Sequence, residues 1–294
     1  IIPFRIDKPC GYFLMDERMG GNMDELLEKL RRINHMLQKE GGFVTNSGEA
    51  TALPFTEMAS VLGDILRANT YLIDLSGNLL GYSEATDINN TRIKQMLEDK
   101  KFPEQYAQNL SALFQTTANI GIESDFTAFP IESRDLFITG VTTIVPIFAS
   151  GKRLGSLILA RMFPAFDSSD LILAEHGATV IGIELLHSIN LRTEEATRVT
   201  TLIQIAIKSL SFSELEAVKA IFESFPSLEE RITASKIAEE KNITRSVIVN
   251  ALRKLESAGI LETRSLGMKG TFIRVVSPEL LDALKKALNQ RNDQ

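Results

Sequence analysis

The stretch over residues 168–209 constrains the fold of this chain more than any other feature. It contains no proline and only two glycines, Gly177 and Gly182. Its apolar residues recur at helical spacing; they are Leu171, Leu173, Val180, Ile183, Leu186, Val199, Leu202, Ile205 and Ile207. We therefore predict one long linker helix that joins two domains and offers a dimer surface. Two ordinary packed helices that break near Asn190 would fit the same pattern equally well.

The segment before the linker helix alternates helices with β-hairpins, and the 294 residues of the chain suffice for two domains. Helices are predicted from Met23, over 55–68, near 90–99 and near 103–113. Hairpin turns are predicted at 76–78 and 150–153. The pattern predicts an α+β fold whose N-terminal domain is a sensor of the GAF or PAS type, with helices around an antiparallel sheet.

Residues 232–276 have the pattern of a winged helix-turn-helix. A short helix over 235–240 is followed by a turn, in which Asn242 suits a left-handed backbone conformation. Thr244 is predicted to cap the next helix, and Gly259 is predicted to end it. Two alternating strands then flank a basic tip bounded by glycines, which is typical of a wing.

The second helix of this motif has one apolar and one polar face. At about 100° per residue, Ile248, Ala251, Leu252 and Leu255 share the face that is predicted to pack inward. The opposite face carries arginine, which can pair with guanine, and asparagine, which can pair with adenine. The predicted DNA contacts are Ser235, Thr244, Arg245, Ser246, Asn250, Arg253, Lys254 and, at the wing tip, Lys269. The alternative is a winged helix that contacts proteins.

Charge favours nucleic-acid binding locally, although the chain is acidic overall. The net charge is −6, but residues 231–274 hold nine lysines and arginines against four glutamates, a net charge of +5. A phosphate backbone attracts such a patch. A solvated helix surface would be the alternative explanation of these charges.

Composition argues against several other classes of protein. A single cysteine, Cys10, leaves no internal disulfide, and the chain lacks an apolar run of about 18 residues and the pattern of a signal peptide. We therefore expect a cytoplasmic protein that does not enter a membrane. The histidines are His35, His176 and His187, and none neighbours a nucleophile or a metal-ligand pattern. We accordingly expect no catalytic residue, no metal site and no enzyme activity.

The stretch ASKIAEEKNITRSVIVNALRKLESAGILETRSLGMKGTFI closely resembles the helix-turn-helix of the CodY family, the nutrient-responsive repressors of Gram-positive bacteria. Weaker resemblance covers nearly all of 23–290 and includes QMLEDKKFPEQY at 95–106 and FTAFPIESRDLF at 126–137. The expected domains are a non-native or disordered extension over 1–22, a GAF effector-binding domain over 23–167, the linker helix and dimer surface over 168–209, and the winged helix-turn-helix domain over 210–294.

The resemblance implies a homodimer, or a tetramer of two dimers, that binds double-stranded DNA and mainly represses genes when isoleucine, leucine or valine is bound. It assigns Arg92 to the ligand carboxylate, and the segment with Thr127 and Phe129 to backbone contacts with the two charged ends of the ligand. The implied apolar wall consists of Ile93, Met96, Phe102, Pro103, Tyr106, Pro130 and Ile131. The plain alternatives are core packing for the apolar residues and a surface ion pair for Arg92.

The second effector of the family, GTP, is not expected to act here. Relatives that sense GTP share a basic turn, Ser-Arg-Arg-Gly-Lys, in the first hairpin, where this chain has Asp74-Leu75-Ser76-Gly77-Asn78. A further basic family position on the linker falls at Ile189, whereas Glu184 still matches a family contact. Loss of these cations removes the main attraction for a triphosphate. We predict a weak GTP response or none.

Three functions compete on these observations. The first is a repressor that is gated by a small ligand. The second is a constitutive dimeric DNA-binding protein whose sensor domain does not sense. The third, a nucleotide hydrolase, has little support from the residues.

Overall fold

The computed structural model of the protein describes residues 16–38, 53–86, 91–129, 137–222, 227–267 and 270–290, except for the side chains of 16–22, 91–92 and 289–290. These residues fall into two compact units that divide between Ser188 and Ile189. The first unit is built on a five-stranded antiparallel sheet, and the second contains a three-stranded one.

The strands of the first unit are β1 (Asn69–Asp74), β2 (Leu79–Ser83), β3 (Thr117–Gly121), β4 (Val141–Ala149) and β5 (Lys152–Arg161). Their order in the sheet is β2-β1-β5-β4-β3. The central strand β5 is buried from Gly155 to Ala160 because helices cover both faces of the sheet.

The helices of the first unit are α1 (Asp16–His35), which continues into a 3₁₀ turn at Met36–Gln38, α2 (Thr56–Leu66), α3 (Thr91–Glu98), α4 (Glu104–Ser111) and α5 (Ser168–Lys208). Helices α1, α2 and α5 pack with sheet residues such as Leu72 and Val145. Helices α3 and α4 pack with Tyr71 and Ile144, which directly precede Leu72 and Val145 in the chain. Adjacent strand residues point to opposite faces, so these are the two faces of one sheet.

Helix α1 begins at Asp16, so the predicted helix start at Met23 and the unstructured extension before it are wrong for residues 16–22. Adding turns to an existing helix is much cheaper than nucleating one, so the helix accommodates Gly20 and Gly21 at about 1 kcal/mol each. Residues 1–15 lie outside the described residues.

Both predicted hairpin turns are present. The first contains Gly77 with a φ of +82°, and the second contains Ser150 and Gly151 with φ of +49° and +74°. Two central residues with positive φ form the two-residue turn that best matches the twist of a hairpin. Arg153, beside the second turn, donates from Nε to the carbonyl oxygen of Gly155 at 2.8 Å, so it is part of the sheet structure.

The segment predicted over 168–209 forms the single helix α5, without a break at Asn190. The long-helix prediction is therefore confirmed and the two-helix alternative is wrong. Gly182 is required where α5 crosses the sheet, because a Cβ there would lie 2.5 Å from the carbonyl oxygen of Phe148. Several large apolar side chains of α5 remain exposed; they are Ile172, Ile183, Ile189, Leu191, Leu202 and Ile205.

The second unit continues with α6 (Phe212–Phe222), β6 (Glu229–Ile232), α7 (Ala234–Glu240), α8 (Arg245–Ser257), β7 (Leu261–Ser265), β8 (Thr271–Val275) and α9 (Pro278–Gln290). The strand order is β6-β8-β7. One apolar core joins α6, α7, α8 and α9 to the strands, with Phe222, Ile248 and Leu284 at its centre. This is the predicted winged helix-turn-helix, with the additional strand β6 pairing along β8.

Candidate functional site

A cavity of about 380 Å³ lies in the first unit, against helices α3 and α4 and the segment 124–129. Its lining consists of Ile93, Met96, Phe102, Pro103, Gln105, Tyr106, Asn109, Ser124, Asp125, Thr127, Ala128 and Phe129. The volume lies within the usual range for small-molecule sites, and apolar walls with a few polar groups are typical of them.

Seven of the ten residues predicted to bind a ligand line this one cavity: Ile93, Met96, Phe102, Pro103, Tyr106, Thr127 and Phe129. Arg92 is the second residue of α3 and precedes Ile93, but its side chain lies outside the described part of the structure. Pro130 and Ile131 lie outside the described residues. The structure thus brings together residues from α3, from α4 and its N-terminal end, and from the loop at 124–129.

Aromatic rings form one wall of the cavity. The ring of Phe102 stacks on Tyr106 at a centroid distance of 6.0 Å and meets the edge of Tyr71 at 5.8 Å. The Tyr106 hydroxyl donates to the carbonyl oxygen of Phe126 at 3.1 Å, which ties α4 to the loop across the cavity. Burial raises the pKa of Tyr106, so this phenol stays protonated and remains a donor.

A buried threonine on β4 holds the loop at the other side of the cavity. Thr142 accepts a hydrogen bond at Oγ1 from the backbone N–H of Ala128 at 2.9 Å, and its hydroxyl lies 3.4 Å from that of Thr127. The Thr127 hydroxyl in turn accepts from the backbone N–H of Phe129 at 3.3 Å. Thr142 is fully buried, so its hydroxyl holds the cavity-lining segment from within the sheet.

Sequence reasoning missed the polar residues of the cavity, Gln105, Asn109, Ser124 and Asp125. The amide Nε2 of Gln105 donates to Oδ1 of Asn109 at 3.1 Å, one turn further along α4. The helical spacing of these two residues with Tyr106 could have revealed that they share its face. Ser124 and Asp125 lie in a loop, where no periodicity exists to place them.

The turn between β1 and β2 is organised by a carboxylate. Asp74 accepts hydrogen bonds from the backbone N–H groups of Ser76 at 2.8 Å and Asn78 at 2.9 Å, and from the Asn78 side-chain amide at 2.7 Å. The Gly77 carbonyl oxygen accepts from the backbone N–H of Phe102 at 2.8 Å. The turn therefore carries negative charge and touches the segment that leads into the cavity wall.

The helix-turn-helix follows the predicted geometry, with one correction. Asn242 adopts a left-handed conformation with a φ of +50°, and Gly259 follows the end of α8 with a φ of +71°. Thr244 occupies the N-cap position of α8, but its hydroxyl makes no capping bond and lies 2.8 Å from the Ser246 hydroxyl. The predicted side-chain cap at Thr244 is therefore wrong, because a neighbouring hydroxyl engages its oxygen.

Helix α8 exposes the polar face that the sequence predicts. Its buried residues are Ile248, Ala251, Leu252 and Leu255. Arg245, Asn250 and Arg253 are exposed, and none makes an ion pair or side-chain hydrogen bond with a described residue. Ser246 and, on α7, Ser235 are exposed as well. This face is consequently free to contact a ligand as large as a DNA duplex.

The wing consists of β7 and β8, and both glycines at its tip have positive φ, +61° at Gly267 and +102° at Gly270. The backbone N–H of Leu266 donates to the carbonyl oxygen of Gly270 at 2.8 Å, which closes the loop. Lys269, the predicted contact at the tip, lies outside the described residues.

Lys254, another predicted DNA contact, is paired within the protein. Its Nζ lies 2.7 Å from Oε2 of Glu214 and donates to the carbonyl oxygen of Ser209 at 2.9 Å. The ammonium group of Lys254 and the bonds from Ser211 hold the pKa of Glu214 below its usual range, so this carboxylate stays ionised. Sequence periodicity could not reveal the pair, since the partners are far apart along the chain.

No helix in the described ranges is long and apolar enough to span a bilayer. No cluster of three His, Cys, Asp or Glu side chains in the same ranges is placed to hold a metal ion.

A helix-turn-helix with an exposed polar face, in a chain that also has a sensor-type domain enclosing a small-molecule cavity, defines a DNA-binding transcription regulator. Comparison with known proteins gives the family. The chain matches the family models described as CodY GAF-like domain, over residues 25–209, and CodY helix-turn-helix domain, over residues 228–287. The chain belongs to the CodY family.

Relatives match over nearly their whole length. The chain is 52% identical to the Global transcriptional regulator CodY of Listeria welshimeri serovar 6b, over 90% of this chain and 99% of that protein. It is also 52% identical to the regulator of the same name from Geobacillus thermodenitrificans, over 89% of this chain and 98% of that protein. These names describe regulation of transcription and not enzyme catalysis.

Among solved structures, the chain matches the cofactor binding GAF domain of the nutrient sensor CodY from Clostridium difficile. The match has 31% sequence identity and a TM-score of 0.37. It covers 55% of this chain and 97% of that domain.

Proposed function

We propose that this protein is a global transcription regulator, mainly a repressor, whose operator binding is enhanced by isoleucine, leucine or valine in the cavity of the first unit. The observation that carries the proposal is that seven predicted ligand residues line one cavity of about 380 Å³. The names of its relatives support the regulatory part of this function. The choice of effector rests on the chemistry of the cavity and on the family resemblance.

The cavity suits an amino acid with a branched apolar side chain. Ile93, Phe102 and Phe129 are buried and offer a dry apolar slot, which Pro130 and Ile131 would extend. The Arg92 guanidinium would pair with the ligand carboxylate, and backbone groups near Thr127 would meet the ammonium group. Ile93 stands where relatives often have methionine, and its similar size should preserve specificity.

On the DNA side, Arg245, Ser246, Asn250 and Arg253 would contact bases and phosphates, with Ser235, Thr244 and Lys269 adding contacts to the backbone. A homodimer in the cytoplasm would place two such helices on the two halves of an operator. The expected boundary at 23 moves to Asp16, where α1 begins. We keep 168–209 for the linker and dimer surface and 210–294 for the DNA-binding domain.

Calorimetric titration of the full chain with each of the three amino acids tests the effector. We expect saturable heat, a rise in melting temperature and tighter binding to a promoter duplex when the amino acid is present. Absence of both heat and thermal shift at millimolar ligand would contradict the proposal. Salt-sensitive operator binding that ignores amino acids would support the constitutive DNA-binding protein instead.

Replacing Thr142 with valine should weaken isoleucine binding and lower stability by about 0.5–1.5 kcal/mol, because the Ala128 N–H loses its acceptor beside the cavity. The matched control is Thr143→Val. Thr143 is also fully buried and accepts from the backbone N–H of Asn119 at 3.1 Å, but Asn119, unlike Ala128, does not line the cavity. Denaturant unfolding and isoleucine titration measure both variants. Equal isoleucine affinity in the two variants would reject the role of Thr142 in shaping the cavity.

GTP should neither shift the melting temperature nor tighten operator binding at millimolar concentration. The turn at 74–78 has Leu75, Ser76 and Asn78 where GTP-sensing relatives have a basic turn, and the Asp74 carboxylate in the same turn is bonded to Ser76 and Asn78. Without those cations the main attraction for a triphosphate is missing. The same thermal-shift and anisotropy assays, with isoleucine as the positive control, measure this. A saturable GTP effect additive to that of isoleucine would show that another part of the chain supplies the cations.

A further inference from the structure

Lys254 lies on the helix that is expected to enter DNA, yet its charge is directed into the protein. The Nζ atom has two close acceptors, Glu214 Oε2 at 2.7 Å and the Ser209 carbonyl oxygen at 2.9 Å. The Glu214 residue is only 7% exposed, whereas the exposed cations Arg245 and Arg253 have no partner among the described residues. Lys254 therefore differs from the other basic residues of α8.

The partners of Lys254 form the junction between α5 and α6. Ser209 directly follows the end of α5, and its carbonyl is among those that a helix end leaves without an intrahelical partner. Ser211 and Glu214 form a reciprocal capping box at the start of α6. The Ser211 N–H donates to Glu214 Oε2 at 2.7 Å, and the Glu214 N–H donates to the Ser211 hydroxyl at 3.3 Å. One ammonium group thus joins the end of one helix, the start of the next and the recognition helix.

The free-energy cost of leaving Glu214 unpaired determines whether Lys254 keeps this junction or moves to a DNA phosphate. If the ammonium group moved to a phosphate, Glu214 would remain as a nearly buried carboxylate without its cation. The Lys254 side chain is 41% exposed and the Glu214 side chain only 10%, so the cost of separating the pair falls on the carboxylate, which would stay largely out of water without its cation. A phosphate contact at an exposed surface contributes little in return. Lys254 is therefore expected to keep its protein partners when DNA binds.

We propose that Lys254 is a positioning residue, which fixes the recognition helix α8 to the α5–α6 junction through Glu214 and Ser209 and does not contact DNA. The proposal rests on the DNA-binding function of the helix-turn-helix. It predicts that loss of either partner lowers the preference for the operator, since α8 is then held less firmly. It also predicts that the number of phosphate contacts does not change.

The test compares the variants Lys254→Met and Glu214→Gln in the full chain, with a duplex selected from random sequence by the wild-type protein and an unrelated duplex. Fluorescence anisotropy over a range of salt concentrations gives the ratio of the two affinities and the salt slope. We expect both variants to lose about tenfold in this ratio and to keep the wild-type salt slope. If Lys254 contacts a phosphate instead, Lys254→Met should lower the salt slope by about 0.9. In that case Glu214→Gln, which frees the ammonium group, should leave the ratio of the two affinities unchanged.

Lys208→Met, which removes an exposed charge at the end of α5, is the matched control and should keep the operator preference. The double variant Lys254→Met/Glu214→Gln leaves no unpaired charge and serves if a single variant does not fold. It should show the same tenfold loss at wild-type slope. A lowered slope, or an unchanged ratio in the folded variants, would overturn the proposal. Wild-type protein without salt-sensitive affinity for any duplex would overturn the proposed function and this inference with it.

Discussion

Alanine at position 245 should weaken binding to the operator by about 1–3 kcal/mol and relax the choice of base at one position. Arg245 is the first residue of α8, is exposed, and has no ion pair or side-chain hydrogen bond with the described residues. Its guanidinium can therefore form paired hydrogen bonds with a guanine without breaking a bond inside the protein. The same freedom predicts that Arg245→Ala folds as the wild type does.

Anisotropy titrations with the operator and with duplexes changed at single base pairs measure this loss. The control variant is Lys236→Ala, which removes one positive charge from the basic segment on α7. If Lys236 contacts only phosphate, its loss weakens all duplexes alike and lowers the salt slope. An Arg245→Ala variant that binds the operator as tightly as the wild type would show that the N-terminus of α8 does not read the base sequence.

Loss of the guanidinium at position 92 should raise the dissociation constant for isoleucine by about 10- to 150-fold, the usual effect of losing a hydrogen bond to a charged group. Arg92 lies in the first turn of α3 and is followed by Ile93, which lines the cavity. A zwitterion in a mostly apolar cavity needs a cation for its carboxylate. The variant Arg92→Ala should therefore keep the fold and lose the effect of isoleucine on operator binding.

The amide of isoleucine separates this role from an indirect one. Isoleucine amide has an uncharged amide in place of the carboxylate. If Arg92 pairs with the carboxylate, the wild type and Arg92→Ala should both bind isoleucine amide weakly and with similar affinity. Lys101→Ala removes an exposed charge beside Phe102 and should leave isoleucine binding unchanged. Equal isoleucine dose-response curves for Arg92→Ala and the wild type would contradict the assignment.

Local periodicity made the DNA-binding unit largely predictable. The spacing of Ile248 and Leu252 predicts that both lie on the buried face of α8. Asparagine and glycine tolerate a positive φ better than other residues, and Asn242 and Gly259 both adopt one. Strand β3 could not be predicted in this way. It is an edge strand with an irregular register, and Asn119 within it has a φ of +54°, so its side chains do not alternate regularly.

The candidate sites were predictable only where a resemblance or a helical repeat supplied the pattern. Thr142 supports the cavity from a different strand, and nothing local to TTIVPI distinguishes its hydroxyl from that of Thr143. The helix pattern predicts that the Lys254 ammonium group is free. In the structure it pairs with Glu214, which is forty residues away in sequence. Long-range pairing of this kind depends on the complete fold.

The unbroken course of α5 has a consequence for how the length of this protein can vary. In a flexible linker, inserting or deleting one residue changes only the distance that the linker can span. In a continuous helix, each inserted residue turns everything beyond it by about 100° and shifts it by about 1.5 Å. An insertion between Leu173 and Leu185, where α5 packs in the core of the first unit, would turn the helix residues beyond it away from their buried face. Such insertions should be tolerated far less than insertions at the turn formed by Ser150 and Gly151.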